Sequence, residues 1–442
     1  MRSRIAPAAA LTAAVLLATS CGGAGEVQEG AAADLDVSTG VTDSSIKIGS
    51  HQPLTGPAAP GYSQISIGAQ AVFDYVNDNG GVNGREIDYV VKDDAYDPAR
   101  TIEVTRELVH NDEIFAMLGG LGTPTHSKVV DFLDKEGVPD LFVSSGALMW
   151  NQPDKYPLTY GFQVDYTKEA KIQGQYIAEN LPDAKVGYLH QNDDVGADSE
   201  AGLEQYIAEQ RVAVESYDSG NTDLGPQIAA LKEEGAEVVV CSCIPAFTAL
   251  AILESASIGY DPQFVVSTIG ADTATLKGLL SEFAAEAGNE DLPVEELLDG
   301  MIYTGYLPAV TQEEDPWIGL YAGIYDEYAD SDRPMTNTTV YGMVQATLMS
   351  KALMAAGEDP TRQSLIDAVH GQDWSGPGLV PFASSEDDHG GYSGALVMEF
   401  RAGKEPETLQ EARVTDNAGG EITEAGDVER PSPEEFGFHG EG

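Results

Sequence analysis

Ile114-Phe115-Ala116-Met117-Leu118-Gly119-Gly120-Leu121-Gly122-Thr123-Pro124-Thr125 reads as three pieces joined end to end. Five apolar residues form a buried strand, the glycines form a tight loop, and Thr123-Pro124 opens a helix that carries Val129, Val130, Phe132 and Leu133. A strand apolar on both faces followed by a helix predicts a parallel sheet covered on both sides. In such sheets ligands sit beyond the carboxyl ends of the strands, where this loop lies. Backbone N–H groups and a hydroxyl at a helix start suit a small anion such as a carboxylate; a tight turn with an N-cap and no ligand is the plainer alternative. No GKS or GKT follows the glycines, and the later glycine of a dinucleotide fingerprint is missing.

The pattern holds in both directions. Upstream, Ile46-Lys47-Ile48 starts a strand, and a helix from about Ser63 carries Ile65, Ala69, Val72 and Val76 before stopping at Asn79-Gly80-Gly81. The strand Glu86 to Val91 is followed by Asp97-Pro98, an N-cap with proline at the first helical position, and a helix to His110. Asp140 to Val143 closes this series. A second series starts with a helix near Tyr166 to Leu181 and the strand Lys185 to Leu189. It continues with a helix from Asp198, the strand Val212 to Tyr217, a helix over Leu224 to Glu234, the strand Val238 to Ser242, a helix near Ala246 to Ser257 and the strand Gln263 to Val266. Two alternating series predict an α/β chain of two doubly wound lobes, and 442 residues with 42% hydrophobic content supply two cores.

The ends read differently. Arg2 and Arg4, a short apolar run from Leu11 to Leu17 and Ala18-Thr19-Ser20-Cys21 have the three-part layout of a secretory signal, residues 1–20. The cysteine after small residues resembles the lipobox of bacterial lipoproteins, which implies lipidation at Cys21; an ordinary cleaved signal is the alternative. Either places the protein outside the cytoplasm. Residues 21–43, small, polar and acidic, read as a flexible tether. Residues 405–442 read as an acidic, partly disordered tail. With 73 acidic against 23 basic residues the formal charge is −50, which repels nucleic acid and suits a strongly hydrated surface. Cys241 and Cys243 lie two apart on an apolar strand, where Cα atoms about 7 Å apart are at the edge of disulfide reach, so buried free thiols are the expectation.

Catalytic patterns are missing. Gly391-Tyr392-Ser393-Gly394 is not a GxSxG elbow, no HExxH occurs, and the seven histidines are scattered. The chain reads as a binding protein and not an enzyme, with no cofactor and no metal. A ligand-sensing receptor for signalling and a secreted hydrolase are the runner-up readings.

Ile46-Lys47-Ile48-Gly49 before Pro53-Leu54-Thr55-Gly56-Pro57, Asn79-Gly80-Gly81-Val82-Asn83-Gly84-Arg85, Asp93-Asp94 through Asp97-Pro98, Gly137-Val138-Pro139, Asp193-Asp194-Val195-Gly196 and Asp388-His389-Gly390-Gly391 occur in that order. From about Ser45 to Lys404 the chain resembles the solute-binding proteins of ABC importers, of the branched-chain amino acid type. The resemblance implies the type I periplasmic-binding-protein fold, with a ligand cleft between two lobes that close by a hinge. It places lobe 1 at residues 44–164 plus 306–384 and lobe 2 at residues 165–305 plus 385–404. The crossings fall near Gln163 to Tyr166, Gly305 to Pro308 and Pro381 to His389. It further implies a monomer that delivers a small carboxylate-bearing ligand (a branched-chain or other hydrophobic amino acid, or a related aliphatic or aromatic acid) to a membrane permease.

The family's ligand residues carry over unevenly. Its carboxylate-holding hydroxyl falls on Thr123, and its second carboxylate loop on Ser144-Ser145-Gly146-Ala147-Leu148, where Leu148 replaces a hydroxyl. The tyrosine of the first loop falls on Gly61 with Tyr62 one place late, the tyrosine of the aspartate loop on Val195, and the acidic partner of the amino group near Thr268. Trp150 and Tyr166 are expected as aromatic cleft walls, with packing at the hinge as the alternative, and Val195, Ile244 and Thr268 are expected to close from the second lobe. Losing a carboxylate, two tyrosines and a hydroxyl weakens the case for an ordinary α-amino acid, because an unpaired buried ammonium is costly.

Overall fold

The computed structural model describes residues 34–438 apart from 290, 291, 373 and 427. The signal segment and Cys21 lie outside the described residues. Five parallel strands form the first sheet: β1 (Ser45–Gln52), β2 (Glu86–Asp93), β3 (Ala116–Leu118), β4 (Asp140–Val143) and β5 (Thr159–Gly161), in the order β2-β1-β3-β4-β5. The second sheet takes β6 (Val186–Gln191), β7 (Arg211–Tyr217), β8 (Val238–Ser242), β9 (Gln263–Val266) and β10 (Ile302–Gly305) as parallel neighbours. Between β10 and the strands that follow in that sheet, a two-stranded ribbon pairs β11 (Phe382–Ala383) with β12 (Gly391–Tyr392). Three antiparallel strands, β13 (Gly394–Glu399), β14 (Glu407–Val414) and β15 (Thr423–Glu424), complete the order β15-β14-β13-β10-β9-β8-β6-β7. The fold is two α/β lobes.

Side-chain period explains why both faces are covered. On β8, Val239 and Cys241 enter one apolar cluster with Leu189 and Val266, while Val238 and Val240 enter another with Tyr188 and Val265. On β3, Ala116 and Leu118 pack on the side of Trp317, Val340 and Met349, and Met117 packs on the side of Leu108 and Leu133. The helix Ala59–Asp78 is broken at its start: Pro60 and Gly61 leave helical geometry, with Gly61 at φ +86°, so regular helix begins at Tyr62.

Three expectations are corrected. Cys241 and Cys243 form a disulfide, with Cα atoms 5.3 Å apart. The extended spacing ends with β8 at Ser242, and the chain turns toward the helix Pro245–Ser257 just as Cys243 is reached. The part of the proposed tether that is described, residues 34–43, is docked. The N–H groups of Arg362 and Gln363 donate to the carbonyls of Val37 and Leu35, Ser38 Oγ donates to Pro360 O at 2.7 Å, and Leu35 packs on the first core. The acidic tail is also structured, because residues 407–424 extend the second sheet. Beyond them Trp317 Nε1 donates to Pro431 O at 3.0 Å, and Phe436 and Phe438 bury in the first core.

Lys171 explains how a polar tail is held. Its side chain is fully buried in the helix Tyr166–Asn180, and Nζ donates to the carbonyls of Asp416, Ala418 and Gly420 and to Asp416 Oδ1, all within 2.9–3.1 Å. A loop of Asp, Asn, Ala and Gly has few apolar groups to bury, so the ammonium supplies the anchoring instead.

Candidate functional site

The loops after β3 and β4 are laced together before any side chain is considered. Gly122 N donates to Ser144 O and Ser144 N to Gly120 O, extending the ladder by the bridge Leu121–Ser144. Gly122 has φ +101°, and a Cβ there would lie 2.5 Å from Thr125 Oγ and from the Tyr96 ring, so glycine is required. The lacing brings Thr123 Oγ within 2.7 Å of Ser145 Oγ and 3.2 Å of the Tyr166 hydroxyl, all three buried. Tyr166 N donates to Gly146 O at 2.8 Å, and a side chain at Gly146 would strike the Tyr166 ring.

Behind this loop lies a buried chain of four groups. Asp94 Oδ2 meets His51 Nδ1, His51 Nε2 meets His126 Nδ1, and His126 Nε2 meets Asp140 Oδ2, each at 2.8 Å and each side chain without exposure. Three such contacts use three protons shared among the four groups. Burial pushes His51 below the usual histidine value, against the opposing pull of Asp94. Gly120 rests on the His51–His126 contact, where a Cβ would come within 2.3 Å of His126 Nδ1. These histidines are 75 positions apart, so no local motif announces them.

The cavity between the lobes has about 550 Å³ of space, including the part open to solvent. Tyr62, Thr123, Tyr166, Val195, Ile244 and Thr268 line it. Val195 is presented by the helix Asp194–Ile207, whose N-cap Asp193 accepts from Val195 N at 2.9 Å. Ile244 precedes the helix Pro245–Ser257, and its N–H donates to the Tyr217 hydroxyl at 3.0 Å. Thr268 N donates to Glu169 Oε1 at 2.7 Å, which also accepts from the Thr304 hydroxyl. Burial raises Glu169 to about 7 despite these donors.

The other expected residues stand elsewhere. Ser145 and Gly146 lie one layer back from the lining, in contact with Thr123 and Tyr166. Leu148 does not line the cavity; its N–H donates at 2.9 Å to Asp198 Oδ2 of the second lobe, a carboxyl that burial raises to about 6. Trp150 is 1% exposed and lies outside the lining, correcting its expected place on the cleft wall. The short turn Leu148–Trp150 aims its ring inward, 5.0 Å from the His126 ring, into a cluster with Val130, Val143 and Tyr156.

Sequence reasoning missed much of the wall. Gln163 and Tyr306 line the cavity at the crossings, and Tyr341, Tyr96, Thr338, Ile65 and Ile269 also stand in its wall. Gln163 is 5% exposed; its Oε1 accepts from the Tyr341 hydroxyl at 3.1 Å, and Nε2 has no partner among the described residues. Its place at the first crossing was the available signal. Tyr306 and Tyr341 belong to the second crossing and to the helix Asn337–Ala355, far away in sequence. Burial raises the hydroxyls of Tyr62, Tyr96, Tyr306 and Tyr341 above the usual tyrosine value, so they enter the cavity wall as neutral donors and acceptors.

The chain matches a family model described as periplasmic binding protein over residues 45–405. Leu/Ile/Val-binding protein homolog 2 of Brucella abortus is 28% identical over 237 residues, covering 51% of this chain and 61% of that relative. The match thus spans about three-fifths of the curated relative's length. Among solved structures, the chain is similar to a fatty acid ABC transporter substrate-binding protein from Thermomonospora curvata. The TM-score is 0.72 at 21% identity, over 87% of this chain and 96% of that one. It is also similar to a branched chain amino acid ABC transporter from Thermus thermophilus with bound valine, with a TM-score of 0.72 at 18% identity over 85% of this chain and 98% of that one. With the family model covering most of its length, the chain belongs to the periplasmic binding protein family.

Proposed function

We propose that this protein is the extracytoplasmic solute-binding component of an ABC importer, capturing a small carboxylate-bearing ligand between its two lobes and presenting it to a membrane permease. The observation that carries this reading is the cavity itself. Its first-lobe side offers the Thr123 hydroxyl, with Ser145 Oγ one layer behind it, and the second lobe adds the Tyr166 hydroxyl, Val195, Ile244 and Thr268. Hydroxyl and amide donors converging in a water-poor space bind a carboxylate by charge-assisted hydrogen bonds. The valine and fatty acid named for two structural neighbours are both carboxylic acids.

Lipid on Cys21 would hold the protein beside its permease, and no helix among the described residues is long and apolar enough to cross a membrane. Cys21→Ala should release the protein from the cell, and unchanged membrane retention would remove the anchor from this reading. For the cavity, a thermal-shift screen of amino acids, aliphatic acids and aromatic acids is the direct test. A true ligand raises the midpoint with RT ln(1 + [L]/Kd), and Thr123→Val should abolish that rise. A screen in which no carboxylic acid stabilises the protein would overturn the assignment.

A further inference from the structure

Among the described residues lining the cavity, none is Asp, Glu, Lys, Arg or His. Two carboxylates stand directly behind lining residues, each already committed to donors. Glu169 takes Thr268 N and the Thr304 hydroxyl, and Asp193 takes Val195 N and Gln191 Nε2. An ammonium brought into this wall would lose its water and find no counter-charge. A carboxylate meets the opposite situation, because Gln163 Nε2 is a buried donor with no partner among the described residues, and the Thr123 hydroxyl also faces the cavity. The Tyr341 hydroxyl fixes one end of the Gln163 amide, so the other end is left to the cavity.

A second space adjoins the first. It measures about 610 Å³, open part included, and shares Thr268, Tyr306, Thr338 and Tyr341 with it. Leu307, Pro308, Ala309 and Met398 give this hinge chamber an apolar wall. Its one carboxylate, Asp272, caps the helix Thr273–Glu286 by accepting from Thr275 N at 2.7 Å and also accepts at 3.0 Å from Asn337 N at the start of a first-lobe helix. From these observations we infer that the ligand is an acid without an α-amino group, its carboxylate held by Gln163 with the Thr123 hydroxyl, and its chain passing Tyr306 and Tyr341 into the hinge chamber. This rests on the reading of the cavity as a carboxylate site and narrows it to one class.

The test pairs each acid with its α-amino counterpart, using 4-methylpentanoate against leucine and octanoate against 2-aminooctanoate, in calorimetry and thermal shift on the full chain. The acids should bind at least about tenfold tighter than their amino partners, since the difference is one uncompensated buried ammonium. Equal or tighter binding of the amino acids overturns this inference and leaves the solute-binding role standing. Silence from both series overturns both. Gln163→Met should weaken both acids by about tenfold, and Gln163→Glu, which keeps the shape and the Tyr341 contact, should weaken them further by placing like charges together. Unchanged affinity in these two variants refutes the Gln163 contact. Met398→Trp, which fills the hinge chamber, should weaken octanoate by about tenfold while 4-methylpentanoate holds its affinity; equal effects on both refute the chain's path.

Discussion

Glu169→Gln should stabilise the protein at neutral and alkaline pH, and the size of the effect follows from where Glu169 sits. The side chain is 1% exposed, and burial raises its carboxyl from 4.5 to about 7. Between those two values the native state holds a proton that the unfolded chain has released. Stability from this group is therefore fully present below about 4.5 and is lost as pH rises through about 7. At about 1.4 kcal/mol per unit, the ionised carboxylate costs about 3 kcal/mol at pH 8, a ceiling for the gain on removing it. Glutamine keeps an oxygen to accept from Thr268 N and the Thr304 hydroxyl, so packing and most hydrogen bonding survive. The assay is urea denaturation of both proteins at half-unit steps from pH 5 to 8. The stability difference should grow with pH and flatten above about 7, with equal denaturant slopes. Asp198 shifts in the same direction as Glu169 and His51 in the opposite one, but both are common to the two proteins and cancel in the difference. Two curves that run parallel across this range would show that Glu169 is ionised without penalty, and the burial argument would fail.

Two further outcomes test the corrected parts of the fold. Lys171→Met keeps the buried stem but removes the ammonium from four oxygens. With Asp416 55% exposed and able to rehydrate, the expected loss is about 2–3 kcal/mol, seen as faster amide exchange over residues 407–424 before the rest of the second sheet opens. The chain from Gly22 onward should show no reactive thiol when denatured without reductant and two after reduction. Cys241→Ser with Cys243→Ser should cost no more than about 1.5 kcal/mol, since so short a loop restrains the unfolded chain little.

What was legible in the sequence is what period and punctuation encode. The apolar runs Ile114 to Leu118 and Val238 to Ser242 are buried throughout and hold the strands Ala116–Leu118 and Val238–Ser242, because every residue has a covered face to occupy. Asp97-Pro98 is a capped helix start, with Ala99 N donating to Asp97 Oδ1 at 2.8 Å. The tail was illegible because its order comes from a lysine 245 positions away and from two terminal phenylalanines, neither of which leaves a local pattern. The disulfide was misjudged by extending strand geometry one residue too far. Thr123, Val195 and Thr268 were legible because each stands at the start of a helix or helical turn a few residues beyond a strand end. Thr338 and Tyr341 have no such anchor, since both stand on the helix Asn337–Ala355, and Tyr306 follows β10 directly but lies outside the matched motifs.

The same distinction separates two kinds of residue that motif alignment had merged. Tyr62 donates its hydroxyl to Ile269 O at 2.6 Å, and Leu148 donates its N–H to Asp198 Oδ2, both across the boundary between lobes. Asn337 N does the same to Asp272. A donor engaged by the opposite lobe is not available to a ligand carboxylate, because each N–H or O–H has one proton to give. These three contacts therefore act on the closed arrangement itself, at roughly 1 kcal/mol each for neutral donors and more where the acceptor is ionised. Affinity in a closing protein depends on both terms: contacts to the ligand, and the free energy of bringing the lobes together. Substitution at Asp198, which lines neither space, should therefore shift affinity for every ligand by a common factor, whereas substitution at Thr123 or Gln163 should shift it according to the ligand's acceptor group. That contrast assigns each residue to closure or to recognition before the ligand itself is known.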